Sequence, residues 1–205
     1  MPTVLHTPDE ETMERVIADR KERGLDRFDE VWEGEYVLMN APSNKHQLLV
    51  GRLTAALTVL IDRDGHDFIL PGANVSDRID WRINHRIPDV LVYLAGNPAE
   101  NRGSFFLGGP DLAIEIVSPG DRTYQKFDFY AAVGVRELVV VDEPLDRFTL
   151  HRLSDGKLTE AGVAALGTDG FATETASLTW TLAEADGRLR LRLQCDAGTQ
   201  DVWIG

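Results

Sequence analysis

Two acids stand where acids are expensive to bury. Asp89 lies in the run Arg86-Ile-Pro-Asp-Val-Leu-Val-Tyr93, and Glu115 lies in Asp111-Leu-Ala-Ile-Glu-Ile-Val-Ser-Pro119. Both are set among apolar, β-branched neighbours of strand type. A carboxylate costs a great deal to desolvate unless a cation or a hydrogen-bond donor compensates it. Two carboxylates on neighbouring strands raise each other's pKa unless a metal neutralises them. The pair therefore reads as a site for a hard cation, with oxygen ligands suited to Mg²⁺ or Mn²⁺. A third residue, Lys126, falls early in the next predicted helix and can reach the same sheet edge. An ammonium there can orient a water molecule or stabilise charge on a phosphate.

The elements that must position these groups follow from patterning. Glu115 alternates with Ile114 and Ile116, so it faces away from both in an extended strand. After Ser118-Pro-Gly-Asp121 a helix is predicted, capped by Asp121 or Thr123 and carrying Tyr124, Lys126, Phe127 and Tyr130 to a stop at Gly134. Glu137-Leu-Val-Val-Val-Asp142 is almost wholly apolar, as a strand covered on both faces should be. Strand, helix, strand over 111–142 makes a right-handed crossover with parallel strands. Upstream, Thr7-Pro-Asp-Glu10 has capping-box spacing for a helix to about Arg23, with Gly24 as its stop. Glu35–Met39 is a short strand, and Leu49, Leu53, Leu57 and Leu60 recur at helical spacing within 45–63. Phe68–Leu70 and Val75–Trp81 are predicted strands, and 80–86 suits a hairpin. Residues 97–109 form a Gly- and Asn-rich loop. Beyond Asp146, Phe148–Leu153 and Leu189–Leu193 alternate strictly, which predicts antiparallel strands with one wet face. The expected division is a core over 1–143 and a β-rich C-terminal extension over 144–205, packed on the same sheet as one structural domain.

Composition narrows the function. The formal net charge of −13 argues against a generic nucleic-acid-binding surface. Residues 1–40 hold eleven acids and five bases, whereas 81–136 hold six of each, so a bound divalent cation makes the region of the pair positive. The single cysteine, Cys195, has no partner for an internal disulfide. The opening segment lacks a basic n-region and an apolar h-region, and no run of eighteen apolar residues occurs. Neither a secretory leader nor a membrane span is expected, and the cytoplasm is the default setting. A P-loop, G-x-G-x-x-G after a strand and H-E-x-x-H are all missing, and Ser118 lacks nucleophile-elbow glycines.

The string Glu115-Ile-Val-Ser-Pro-Gly-Asp-Arg, with Lys126, Tyr130, Gly134-Val135, Glu137-Leu and Val141-Asp142, resembles the Uma-type restriction endonuclease family of the PD-(D/E)XK nuclease superfamily. Pro88-Asp89 supplies the first half of the superfamily motif. Glu30-Val-Trp-Glu-Gly-Glu-Tyr-Val and His46 match the family's opening strand-turn-strand and following helix, so the resemblance covers about 28–144. It implies an α/β, restriction-endonuclease-like core: a mixed central β-sheet flanked by helices, here with the β-rich extension. It also implies that Asp89, Glu115 and the backbone carbonyl of Ile116 hold Mg²⁺ or Mn²⁺, and that Glu30 joins the catalytic group. The superfamily's lysine normally stands two residues after the second acid. Val117 occupies that place, and Lys126 inherits the role.

The reading that results is a metal-dependent DNA endonuclease in which a metal-bound water, oriented by Lys126, attacks phosphorus and leaves a 5′-phosphate. A homodimer suits cleavage of both strands. The rival reading is a catalytically inactive nuclease fold serving as a binding or interaction module, favoured by the acidity and by Val117. A hydrolase of smaller phosphate esters is a third. Individual residues also have plainer uses. Lys126 could be a solvated helix lysine, His46 a helix-start or surface residue, and Tyr124 and Tyr130 core or site wall. Trp32 and Trp81 could stack on bases or simply be buried.

Overall fold

The computed structural model describes residues 10–118, 122–142 and 144–204. Helix α1 (Glu10–Glu22) leads into a hairpin of β1 (Glu30–Trp32) and β2 (Glu35–Val37), and α2 (Asn44–Ile61) follows. Next come β3 (Phe68–Pro71), β4 (Val75–Ser76), β5 (Val90–Tyr93), β6 (Glu100–Asn101), β7 (Phe106–Leu107) and β8 (Leu112–Ile116). Helix α3 (Phe127–Val133) connects β8 to β9 (Glu137–Asp142). The chain ends in β10 (Arg147–Ser154), β11 (Lys157–Ala165), β12 (Phe171–Ala172), β13 (Thr179–Ala185), β14 (Arg188–Cys195) and β15 (Gly198–Ile204).

The central sheet runs β11-β10-β9-β8-β5-β3. Only β8 and β9 pair in parallel; the other neighbours are antiparallel, so the sheet is mixed. The parallel pair is joined through α3, the crossover that patterning predicts. Alternation sorts β8 and β9 between two cores. Ile114, Ile116, Val139 and Val141 pack with α2 and with Trp180, Leu191 and Leu193. Ala113, Leu138 and Val140 pack with Phe129 and Tyr130 of α3 and with Leu91 and Tyr93 of β5. Glu115 shares the parity of Ala113, so its carboxylate enters the α3 side.

Helix α2 starts because Ser43, in extended conformation, accepts a hydrogen bond from the His46 amide at 3.2 Å. Its apolar stripe of Leu49, Leu53, Leu57 and Leu60 is buried, as spaced. Helix α3 stops at Gly134, whose φ of 86° belongs to the left-handed region where glycine pays no steric cost. The capping position at Thr7 and the cap at Asp121 lie outside the described residues.

Several local expectations change. The strand expected over 75–81 is only Val75–Ser76, and the hairpin expected at 80–86 is a 3₁₀ turn over Trp81–Ile83. The Ser76 hydroxyl donates to the Asn84 carbonyl at 2.6 Å and closes this segment as a loop. The third helix begins as a 3₁₀ turn over Thr123–Lys126 before becoming α-helical at Phe127. In the C-terminal region β10 and β11 extend the central sheet. Strands β12 to β15 form a separate four-stranded antiparallel sheet that packs on α2.

Candidate active site

Three of the sequence-predicted residues meet in one buried cluster. Lys126, at the junction of the 3₁₀ turn and α3, is only 2% exposed. Its ammonium donates to Glu115 Oε1 and to Glu30 Oε1, each at 3.0 Å. Glu115 and Glu30 are 3% and 1% exposed. The Tyr130 hydroxyl, one turn along α3 from Lys126, donates a short hydrogen bond to the same Glu115 oxygen. Lys126 thus reaches the strand acid from the next element.

Glu30 enters through β1. In the extended segment Glu30-Val31-Trp32, the carboxylate and the indole lie on one face. The Trp32 indole N–H donates to Glu30 Oε2 at 2.6 Å, and the Ile87 amide donates to Glu30 Oε1 at 2.8 Å. The two-residue turn Glu33-Gly34, with φ of 51° and 90°, suits a tight primed hairpin that fixes this register.

Asp89 stands one residue before β5 and is the more open acid, its side chain 21% exposed. Its Oδ2 accepts from the Ile116 amide at 2.7 Å and lies 3.2 Å from His46 Nε2. The first turn of α2 therefore reaches the acid pair from the sheet's other side. Burial pushes the His46 imidazole down, but the bond to Asp89, its charge and the Ile116 carbonyl together raise it above its ordinary value. Sequence reasoning treated His46 and Tyr130 as secondary; both contact an acid of the pair. For Tyr130 the available signal was its place one helical turn after Lys126.

Burial raises Glu115 to about 8, with the charges of Asp89 and Glu30 adding to the rise and Lys126 and the Tyr130 bond opposing it. Burial likewise raises Tyr130 well above the usual phenol range, so it is a neutral donor. Burial is the first cause for Glu115, and the negative charges of Asp89 and Glu30 add to it. A divalent cation would offset that negative charge. Among the described residues no group of three or more His, Cys, Asp and Glu side chains makes a ready metal cage. A cation site here would rest on Asp89 and Glu115 with the Ile116 carbonyl, a hard-oxygen set that leaves room for water. Donor chemistry and charge both fit.

The cluster opens on a cleft of about 410 Å³. Asp89, Glu115, Lys126, Glu30 and His46 form its polar floor, and Phe28, Met39, Pro42, Ile87 and Leu145 belong to its apolar walls.

Residues 17–185 match the model of the Uma2 family, described as "Putative restriction endonuclease". A crystal structure from Anabaena variabilis, of a protein described as a "putative nuclease belonging to DUF820", has the same fold. Its TM-score is 0.60 at 16% identity, over 73% of this chain and 83% of that one. No curated protein matches the chain.

Proposed function

Taking as premise that this chain belongs to the Uma2 family, we propose that it is a metal-dependent nuclease that hydrolyses phosphodiester bonds in DNA. The observation that carries this reading is the convergence of Glu115, from β8, and Lys126, from the 3₁₀ turn that leads into α3, beside Asp89 in one cleft. That arrangement supplies two acids and a lysine although Val117 occupies the usual lysine position.

Asp89, Glu115 and the Ile116 carbonyl would hold Mg²⁺ or Mn²⁺. When bound, the cation supplies Lewis-acid charge at the scissile phosphate. The protein's own groups do the rest. The Lys126 ammonium, held by Glu30 and Glu115, orients the attacking water and stabilises negative charge developing on phosphorus. Tyr130 holds Glu115 on one oxygen. The Ile116 amide holds Asp89, and His46 closes the opposite side. Water adds to phosphorus, the bond to the 3′ oxygen breaks, and that oxygen takes a proton, which leaves a 5′-phosphate. Cytoplasmic DNA and a symmetric dimer that cuts both strands belong to the same proposal. Among the described residues, no helix is long and apolar enough to cross a membrane.

A second reading, the nuclease fold kept as an interaction module, draws support from the net charge of −13 and from Val117. Calorimetric titration with Mn²⁺ separates the two. The nuclease reading expects binding that is lost in Asp89→Ala and Glu115→Ala. No heat at millimolar cation would favour the module.

A further inference from the structure

Glu30 has no oxygen left uncommitted. Oε1 serves Lys126 and the Ile87 amide, and Oε2 serves the Trp32 indole. Its orientation toward Lys126 therefore depends on what holds Trp32, which is itself layered between two cations. The Arg86 guanidinium lies 4.6 Å from the indole centroid, and the Arg122 guanidinium lies 4.5 Å from it.

Arg86 is an unusual support. It is buried, it stacks also on Phe129 of α3 at 4.3 Å, and its Nη1 donates to the Val31 carbonyl, the Asn84 side chain and the His85 carbonyl. Its Nε is buried without a hydrogen-bond partner. A buried guanidinium with an unsatisfied N–H costs free energy that surface packing would not require. Stacking on Trp32 and Phe129 returns part of that cost. Arg86 thus ties the first hairpin, which supplies Glu30, to α3, which begins directly after Lys126.

We propose that Trp32 is a positioning residue of the site: its indole N–H, clamped between Arg86 and Arg122, fixes Glu30, and Glu30 fixes the Lys126 ammonium. This inference rests on the nuclease reading for its consequence in catalysis but not for its geometry. Trp32→Phe is the discriminating variant, because it keeps a ring between the guanidinium groups and removes only the N–H. Loss of an outer-shell hydrogen bond of this kind typically costs about 10- to 100-fold in activity.

The experiment has an arm that needs no activity. In ¹H–¹⁵N spectra of the metal-free protein, the Trp32 indole resonance, assigned by its loss in Trp32→Phe, should shift in Glu30→Gln as a charge-assisted bond becomes neutral. The buried Lys126 ammonium signal should shift in Trp32→Phe, and it should stay in place in Trp81→Phe. The second arm measures Mn²⁺-dependent DNA cleavage. There kcat should fall about tenfold in Trp32→Phe with KM unchanged, and the double variant with Glu30→Gln should lose no more than Glu30→Gln alone. An indole resonance indifferent to Glu30→Gln, or a Lys126 signal unmoved in Trp32→Phe, overturns the proposal. Wild-type protein that does not cleave DNA counts against the nuclease reading, while the spectral arm still decides the role of Trp32.

Discussion

The site cluster and the C-terminal meander handle charge in opposite ways. In the β13-β14-β15 sheet, Leu191, Leu193, Trp180 and Val202 point inward, and Arg188, Arg190, Arg192, Asp201 and Trp203 point outward. Its ion pairs, such as Arg192 with Asp201 at 2.9 Å, sit at the surface, where water already solvates both partners. At the site, Glu30, Glu115 and Lys126 are shut away from water on the α3 side of the central sheet. Patterning explains most of the meander: a period of two, apolar inside and, Trp203 apart, polar outside. The same period places Glu115 inside, where a scaffold needing only stability would carry an apolar residue. The contrast shows that Glu30, Glu115 and Lys126, which line the cleft, are among the polar groups this chain keeps buried at a cost.

Removing the cation from each region should separate them most. Lys126→Met leaves two buried carboxylates without their partner, and we expect it to cost about 3–5 kcal/mol by denaturant unfolding. The triple variant Glu30→Gln, Glu115→Gln, Lys126→Met should recover much of that loss, since the unpaired charge goes with the lysine. If the single variant were as stable as wild type, the cluster would not be the coupled unit described.

A smaller effect should appear with pH. Glu115 is raised from 4.5 to about 8 in the folded protein. The folded state therefore keeps a proton that the unfolded chain gives up once pH passes about 4.5. This contribution is full below that pH and is lost as pH rises to about 8. His46, also raised, adds to the fall near neutrality. Without metal, thermal stability should decline across this window, and Glu115→Gln should leave only the portion near neutrality. Mn²⁺ should restore stability most at the alkaline end, because the cation takes the place of the proton. A flat profile from pH 5 to 8 would contradict the raised Glu115.

The smallest effect belongs to the meander. Arg192→Ala breaks an exposed pair with Asp201, and its melting temperature should match wild type within error. Its unfolding should be insensitive to Mn²⁺ beyond the wild-type response. A large loss there would mean that surface charge carries the stability assigned here to apolar packing.

Much of this was legible in the sequence, for reasons that differ between elements. Helix α2 and strands β8 and β9 declare themselves because burial on a helix or a two-sided sheet writes a strong period. Glu115 stood out as the exception within such a period, and the string to Asp142 tied it to the Uma2 family. The expected hairpin at 80–86 failed because Ser76 and Asn84 close that segment through a side-chain bond, which no hydrophobic period records. Positions that depend on contacts between distant elements were harder. His46 meets Asp89 across 43 residues of chain, and Lys126 meets Glu30 across 96. Neither spacing has a local signature. Trp32 could have been linked to Glu30 by strand alternation, whereas its stacking on Arg86 and Arg122 depends on how β1, α3 and the intervening loops pack.

The central claim is that Asp89 and Glu115, with Lys126 beside them, form one metal-dependent cleavage site. Supercoiled plasmid incubated with Mn²⁺ tests it most directly, comparing wild type with a folded Asp89→Ala variant. Wild type should nick or linearise the plasmid only when the cation is present, and Asp89→Ala should be slower by at least about 100-fold, within the range seen when a preorganised electrostatic group is lost. Equal cleavage by the two proteins, or cleavage by wild type that persists in excess chelator, would contradict the account.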